Sequence, residues 1–225
     1  MRRCHGPAAE VERYRRDGSF AQRLANAQAL GNHLVDPLLV QGLQTRLRTS
    51  WRSPGQPPEG LTLPSGRRGG LPTKGSVKVF ALLIDFADYP AVNDVATITS
   101  KLFGDGDTGY PYESLRNFYR RASYNLLDIG GSTLGWHTTS YPRSAVEQTT
   151  AGREALIREA ITSFDAAGHD FAQYDNDGDG TIDYFIVVWT GPHQDWAEFW
   201  WGYQTSFQDG SFRVDNTRLG VYSWQ

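Results

Sequence analysis

Tyr174-Asp175-Asn176-Asp177-Gly178-Asp179-Gly180-Thr181-Ile182-Asp183 runs directly into Tyr184-Phe185-Ile186-Val187-Val188-Trp189. Carboxylates fall at 175, 177 and 179 and again at 183, with glycines at 178 and 180. Hard cations take several oxygen ligands from a tightly turned backbone, and glycine permits the turn. Alternate spacing points Asp175, Asp177 and Asp179 toward one centre. The expected ligands are the side chains of Asp175, Asp177, Asp179 and Asp183 with the backbone carbonyl of Thr181, and the expected ion is calcium. The alternative is a solvated acidic turn, although carboxylates this close repel one another unless neutralised. The loop is not an EF-hand. Counting from Asp175, the twelfth position is Ile186, where an EF-hand needs a bidentate Glu. Ile182–Trp189 then reads as an apolar strand.

Upstream, Thr150 is placed to cap a helix over 151–167 with an apolar face of Leu156, Ile157, Ala160, Ile161 and Phe164; Gly168 closes it. Val77–Ile84 is a nearly continuous apolar run and reads as a strand buried on both faces. Asp85 and Asp88 at its end are turn formers or ligands. Ser114–Ser123 reads as a helix with Leu115, Phe118, Tyr119 and Ala122 inward and Arg116, Arg120 and Arg121 outward. Leu126–Trp136 is a strand or hairpin. Asp209-Gly210 suggests a hairpin turn between 205–208 and 211–214, and Leu219–Trp224 is a last strand. Strand, helix, strand, helix, strand, hairpin, strand describes an α/β domain with one mixed sheet and packed helices.

The N-terminal part differs in character. Residues 8–30 read as one or two helices interrupted at Gly18, with Ser19 as a cap. Residues 53–75 are rich in Pro and Gly and read as a linker, with Arg67-Arg68-Gly69-Gly70 as a candidate processing site. The expected organisation is 1–52 helical, 53–75 linker and 76–225 folded body. Net charge is −3, yet residues 1–76 carry 12 basic against 5 acidic side chains, and 77–225 carry 10 against 20. A basic leader on an acidic body is a nucleic-acid arm, a segment that docks on its own domain, or two solvated surfaces. No zinc finger, RNP pattern or phosphate loop favours nucleic acid, and no apolar run is long enough to span a membrane. One cysteine, Cys4, excludes an intramolecular disulfide framework.

The histidines are His5, His33, His137, His169 and His193; no two stand four residues apart. His193 with Asp195 and Glu198 is the one local cluster of metal or acid/base type, against the alternative of a surface-loop histidine. Trp196, Trp200 and Trp201 are a sugar-stacking platform or residues half-buried under a loop.

Three stretches in order carry a resemblance: Gly75–Val79 running into Leu83-Ile84-Asp85-Phe86-Ala87-Asp88, Phe118-Tyr119-Arg120-Arg121-Ala122-Ser123-Tyr124, and Tyr174–Gly180 with its strand. Over about residues 72–225 the chain resembles the immune inhibitor A-like secreted zinc metallopeptidases. The resemblance implies a zincin-like twisted mixed sheet, a propeptide-like helical segment ahead of it, protein or peptide substrates, secretion, and a helix bearing His-Glu-x-x-His that binds zinc and activates water. That motif is absent here, so no residue is assigned as a zinc ligand or as catalytic, and the chain is expected to be inactive by itself. Trp189-Thr190-Gly191 departs from the His-Ala-Gly of many relatives. The second expectation is a non-catalytic, calcium-stabilised binding module that takes carbohydrate through its tryptophans.

Overall fold

The computed structural model describes residues 7–31, 34–37, 40, 41, 44, 70–106 and 112–225. The linker over 53–69, Arg67-Arg68, Cys4, His5 and His33 lie outside them. Two helices come first, α1 (Pro7–Arg16) and α2 (Phe20–Ala29). The body follows as β1 (Gly75–Asp85), α3 (Val95–Phe103), α4 (Leu115–Ala122), β2 (Leu127–Thr138), α5 (Thr150–Ala166), β3 (Thr181–Trp189), β4 (Tyr203–Ser206) and β5 (Arg218–Trp224). The result is a mixed α/β fold on a five-stranded sheet of order β2-β1-β3-β5-β4. The first four strands are parallel; β4 is antiparallel and forms an edge.

β1 is buried on both faces, as its apolar run predicts, because alternate side chains enter different cores. Phe80, Leu82 and Ile84 join the larger core with α5, while Val77, Val79 and Ala81 join a smaller one with Phe103, Leu127 and Ile129. Period-two alternation is the reason one strand can serve two layers. Across the sheet Phe80, Phe185 and Tyr222 stand side by side, with ring centroids 5.0 and 4.9 Å apart. Gly131 sits opposite Val79 in the β1–β2 ladder, where a Cβ would lie 1.7 Å from the Val79 carbonyl oxygen.

Several sequence expectations change. The cap of α5 is Thr149, whose hydroxyl accepts the Gly152 N–H at 3.0 Å; the Thr150 hydroxyl instead donates to the Leu30 carbonyl at 3.1 Å. Ser19 makes no side-chain cap for α2, since its hydroxyl donates to Asp17. On α4 Leu115 packs on the smaller core as expected, but the rest of the inward side is Arg116, Asn117 and Arg120, while Phe118 and Tyr119 are exposed. Both arginines grip the Asp128 carboxylate on β2 with two hydrogen bonds each, at 2.7 and 2.9 Å and at 2.8 and 3.1 Å. This pairing draws the polar stripe inward. Asp209-Gly210 is not the hairpin turn. β4 pairs through 203–206 with 221–224, and the tight turn is Asp215-Asn216, where both φ are positive and Val214 bridges Thr217. α3, which the apolar pattern did not suggest, is capped by Asp94 accepting the Thr97 N–H at 2.7 Å.

Candidate metal centre

The acidic loop joins a short 3-10 turn, Ala172–Tyr174, to the start of β3. Gly178 and Gly180 both take positive φ, +73° and +84°, and this lets the chain fold back on itself in six residues. The fold brings Asp175, Asp177 and Asp179 together, with one carboxylate oxygen from each inside a mutual spacing of 4.8 Å. The Asp175 oxygens accept the Asp179 and Gly180 N–H groups at 3.0 and 2.9 Å, and Asp177 also accepts from Asp179 at 3.2 Å. These are the only three metal-ligating side chains grouped in this way among the described residues. Burial, then the neighbouring Asp179 and Asp175, raise the Asp177 carboxyl above its usual range.

Asp183 is not grouped with these three, although Asp177 and Asp175 are near enough to act on its charge. It is fully buried. One of its oxygens accepts the Asn176 backbone N–H and side-chain amide, both at 2.9 Å, and the other has no partner among the described residues. Burial is the main cause that pushes its carboxyl up to about 6, with Asp177 and Asp175 adding to it and the Asn176 bonds opposing. Thr181 is buried at the first position of β3, across from Arg218.

The sequence reading passed over Asn176. Its side chain accepts the Lys78 N–H at 2.7 Å and donates to the Lys78 carbonyl at 2.9 Å. The amide therefore stands in for a strand neighbour and ties the loop to β1. An asparagine among aspartates carries no pattern that would signal this.

The chemistry of the cluster is all-oxygen. Such a set suits a hard cation such as calcium, and lacks the His and Cys donors that zinc sites favour. The buried, unpartnered oxygen of Asp183 and the self-repulsion of the three aspartates are both relieved by a positive charge in the loop.

The remaining candidates do not assemble into a site. Asp85 accepts the Ala91 N–H at 3.0 Å, and Asp88 accepts the N–H of the distant Arg143 at 2.8 Å, so both carboxylates tie loop backbone together. His193 is exposed and contacts Trp201 by its ring edge, while Asp195 and Glu198 pair instead with Arg23. His137 meets Glu159 at 3.0 Å, and His169 meets the Tyr174 hydroxyl at 2.9 Å. Trp200 is in the core against Phe86, Trp189, Phe199 and Trp224. Trp196 stacks between Tyr14 and Phe20, leaving Trp201 half-buried beside a cavity of about 480 Å³. No family model matches the chain, and no curated protein matches it.

Proposed function

We propose that this chain is part of a secreted zinc-dependent endopeptidase precursor. On this reading residues 76–225 are the sheet-bearing portion of a zincin-like domain, and the N-terminal helices are its propeptide. The zinc ligands of such an enzyme are not among these residues, because the sequence has no His-Glu-x-x-His.

The observation that carries the reading is the edge of the sheet. Four parallel strands end in one short antiparallel strand, β4. An extended peptide pairs with such an exposed edge through main-chain hydrogen bonds. The N-terminal segment of the same chain is bonded beside that strand, through the Thr205 hydroxyl to the Gly31 carbonyl and an ion pair from Arg218 to Asp36. A segment docked beside the edge strand fits a latent precursor. The surplus of positive charge in residues 1–76 and of negative charge in 77–225 favours the same docking.

Calcium has a structural part in this reading. Asp175, Asp177 and Asp179 would hold it, with Asp183 and the Thr181 carbonyl as the further oxygens. It would fix the turn from α5 into β3.

The test is the coding sequence downstream of Gln225, followed by expression of the extended protein. His-Glu-x-x-His is expected within a few tens of residues, roughly one connection and one helix. The extended protein should then hydrolyse casein with zinc and lose activity on zinc removal, and the 225-residue chain should be inactive. A downstream reading frame without that motif refutes the peptidase reading.

A further inference from the structure

Away from the acidic loop, several hydrogen-bond donors of the body converge where the N-terminal segment turns after α2. Two successive carbonyls are presented there. The Leu30 carbonyl accepts from the Thr150 hydroxyl and from Arg153 Nη1, both at 3.1 Å, and the Gly31 carbonyl accepts from the Thr205 hydroxyl at 3.0 Å. Arg153 is wholly buried. Its Nε donates to the Tyr222 hydroxyl and its Nη1 to the Tyr203 hydroxyl, each at 2.6 Å, and its Nη2 has no partner among the described residues. The acceptors bonded to this cation are thus two phenols and a peptide carbonyl. A buried guanidinium without a bonded carboxylate has a strong demand for further acceptors.

Every donor to the segment belongs to the body, Thr150 and Arg153 from α5 and Thr205 from β4. Every acceptor supplied by the segment is main chain. The site therefore recognises backbone, and nothing in these bonds reads the segment's side chains. Elsewhere the segment is held by side chains: Leu30 enters the larger core, Asp36 pairs with Arg218, Trp196 lies between Tyr14 and Phe20, and Arg23 reaches the Trp196 carbonyl, Asp195 and Glu198.

We propose that Thr150, Arg153 and Thr205 form a receptor for two consecutive peptide carbonyls on the flank of edge strand β4. Leu30 and Gly31 of the same chain occupy it here, and the same segment supplied as a separate peptide takes their place when that turn withdraws. The proposal rests on the N-terminal segment being separable, as the precursor reading has it, but not on any zinc chemistry.

Gly31 gives a test that leaves the body untouched. Its φ is +72°, and a Cβ there would lie 2.6 Å from both the Thr150 hydroxyl and Leu34 Cδ1. In the full chain, Gly31→Ala should speed amide hydrogen exchange across 20–31 by about tenfold or more, the scale of two or three lost hydrogen bonds. Exchange in β1 and β3 should stay at its wild-type rate. The same variant should bind a synthetic peptide copying residues 26–34, and adding Thr150→Val and Thr205→Val should remove that binding. Unchanged exchange in 20–31, an equal rise in β1 and β3, no peptide binding, or binding that survives the two valines would each overturn the proposal. None of these readouts requires hydrolysis, so failure of the peptidase reading is scored separately.

Discussion

Asp183 has one oxygen bonded twice by Asn176 and the other buried without a partner among the described residues. Without a cation nearby its negative charge is a cost, since burial is what raises its carboxyl to about 6. Asp183→Asn keeps an oxygen for the Asn176 donors and removes the charge. In chelator at neutral pH this variant should be the more stable protein, by about 1–2 kcal/mol. In saturating calcium the order should reverse, because the variant offers the ion one charge less; thermal melting in both conditions reads the inversion. A variant less stable in both conditions would assign Asp183 to packing alone. The alternation of Asp175, Asp177 and Asp179 was legible in the sequence because period-two spacing on a turned chain has few other uses. The part played by Asn176 was not, since it depends on Lys78, 98 residues away. Thr149 and Thr150 are a similar case: adjacent threonines serve equally as caps on paper, and only the neighbouring Leu30 carbonyl separates their roles.

At the scale of elements, the contact between α4 and β2 combines the packing of Leu115 on the smaller core with a charged pairing. Arg116 and Arg120 hold the Asp128 carboxyl well below the usual carboxylate range, chiefly through their hydrogen bonds. A carboxyl depressed in the folded state stabilises the fold at all pH values above its unfolded pKa. That contribution is lost as pH falls below about 4 and toward the folded value. Asp128→Asn should therefore cost about 1–2 kcal/mol near neutral pH, reduced from the buried-pair scale because the carboxylate is partly exposed. Urea denaturation of wild type and variant should give midpoints that converge on acidification; a constant gap would assign the loss to packing. The sequence pattern placed Phe118 and Tyr119 inward because apolar periodicity is the usual guide to a buried face. Here the partner strand offers Asp128, and two arginines facing it outweigh two aromatic rings. α3 was missed for a related reason: Val95-Ala96-Thr97-Ile98-Thr99 is β-branched and favours extended chain, and the Asp94 cap with packing on β2 decides for helix.

On the scale of the molecule, the apolar runs at Val77–Ile84 and Ile182–Trp189 announced the parallel core of the sheet, since strands buried on both faces need continuous apolar sequence. The edge was harder to read. β4 has four residues, and its pairing with β5 crosses a long connection that holds turns at both Asp209-Gly210 and Asp215-Asn216, neither of which joins the two paired strands directly. The uneven charge of leader and body left docking open among other possibilities, and the contacts of Arg23, Asp36, Leu30 and Gly31 show that the segment lies on the body. The 3-10 turn Ala172–Tyr174 that leads into the acidic loop packs on β1 and β3, so a cation in the loop would brace the centre of the sheet. The most direct measurement is the melting temperature of the full chain with calcium and with chelator. Calcium should raise it progressively, by the equivalent of about 2.7 kcal/mol at a hundredfold excess over the dissociation constant. Asp177→Ala and Asp179→Ala should each abolish the rise. A wild-type transition that calcium leaves in place would contradict the assignment of Asp175, Asp177 and Asp179 as a cation clamp.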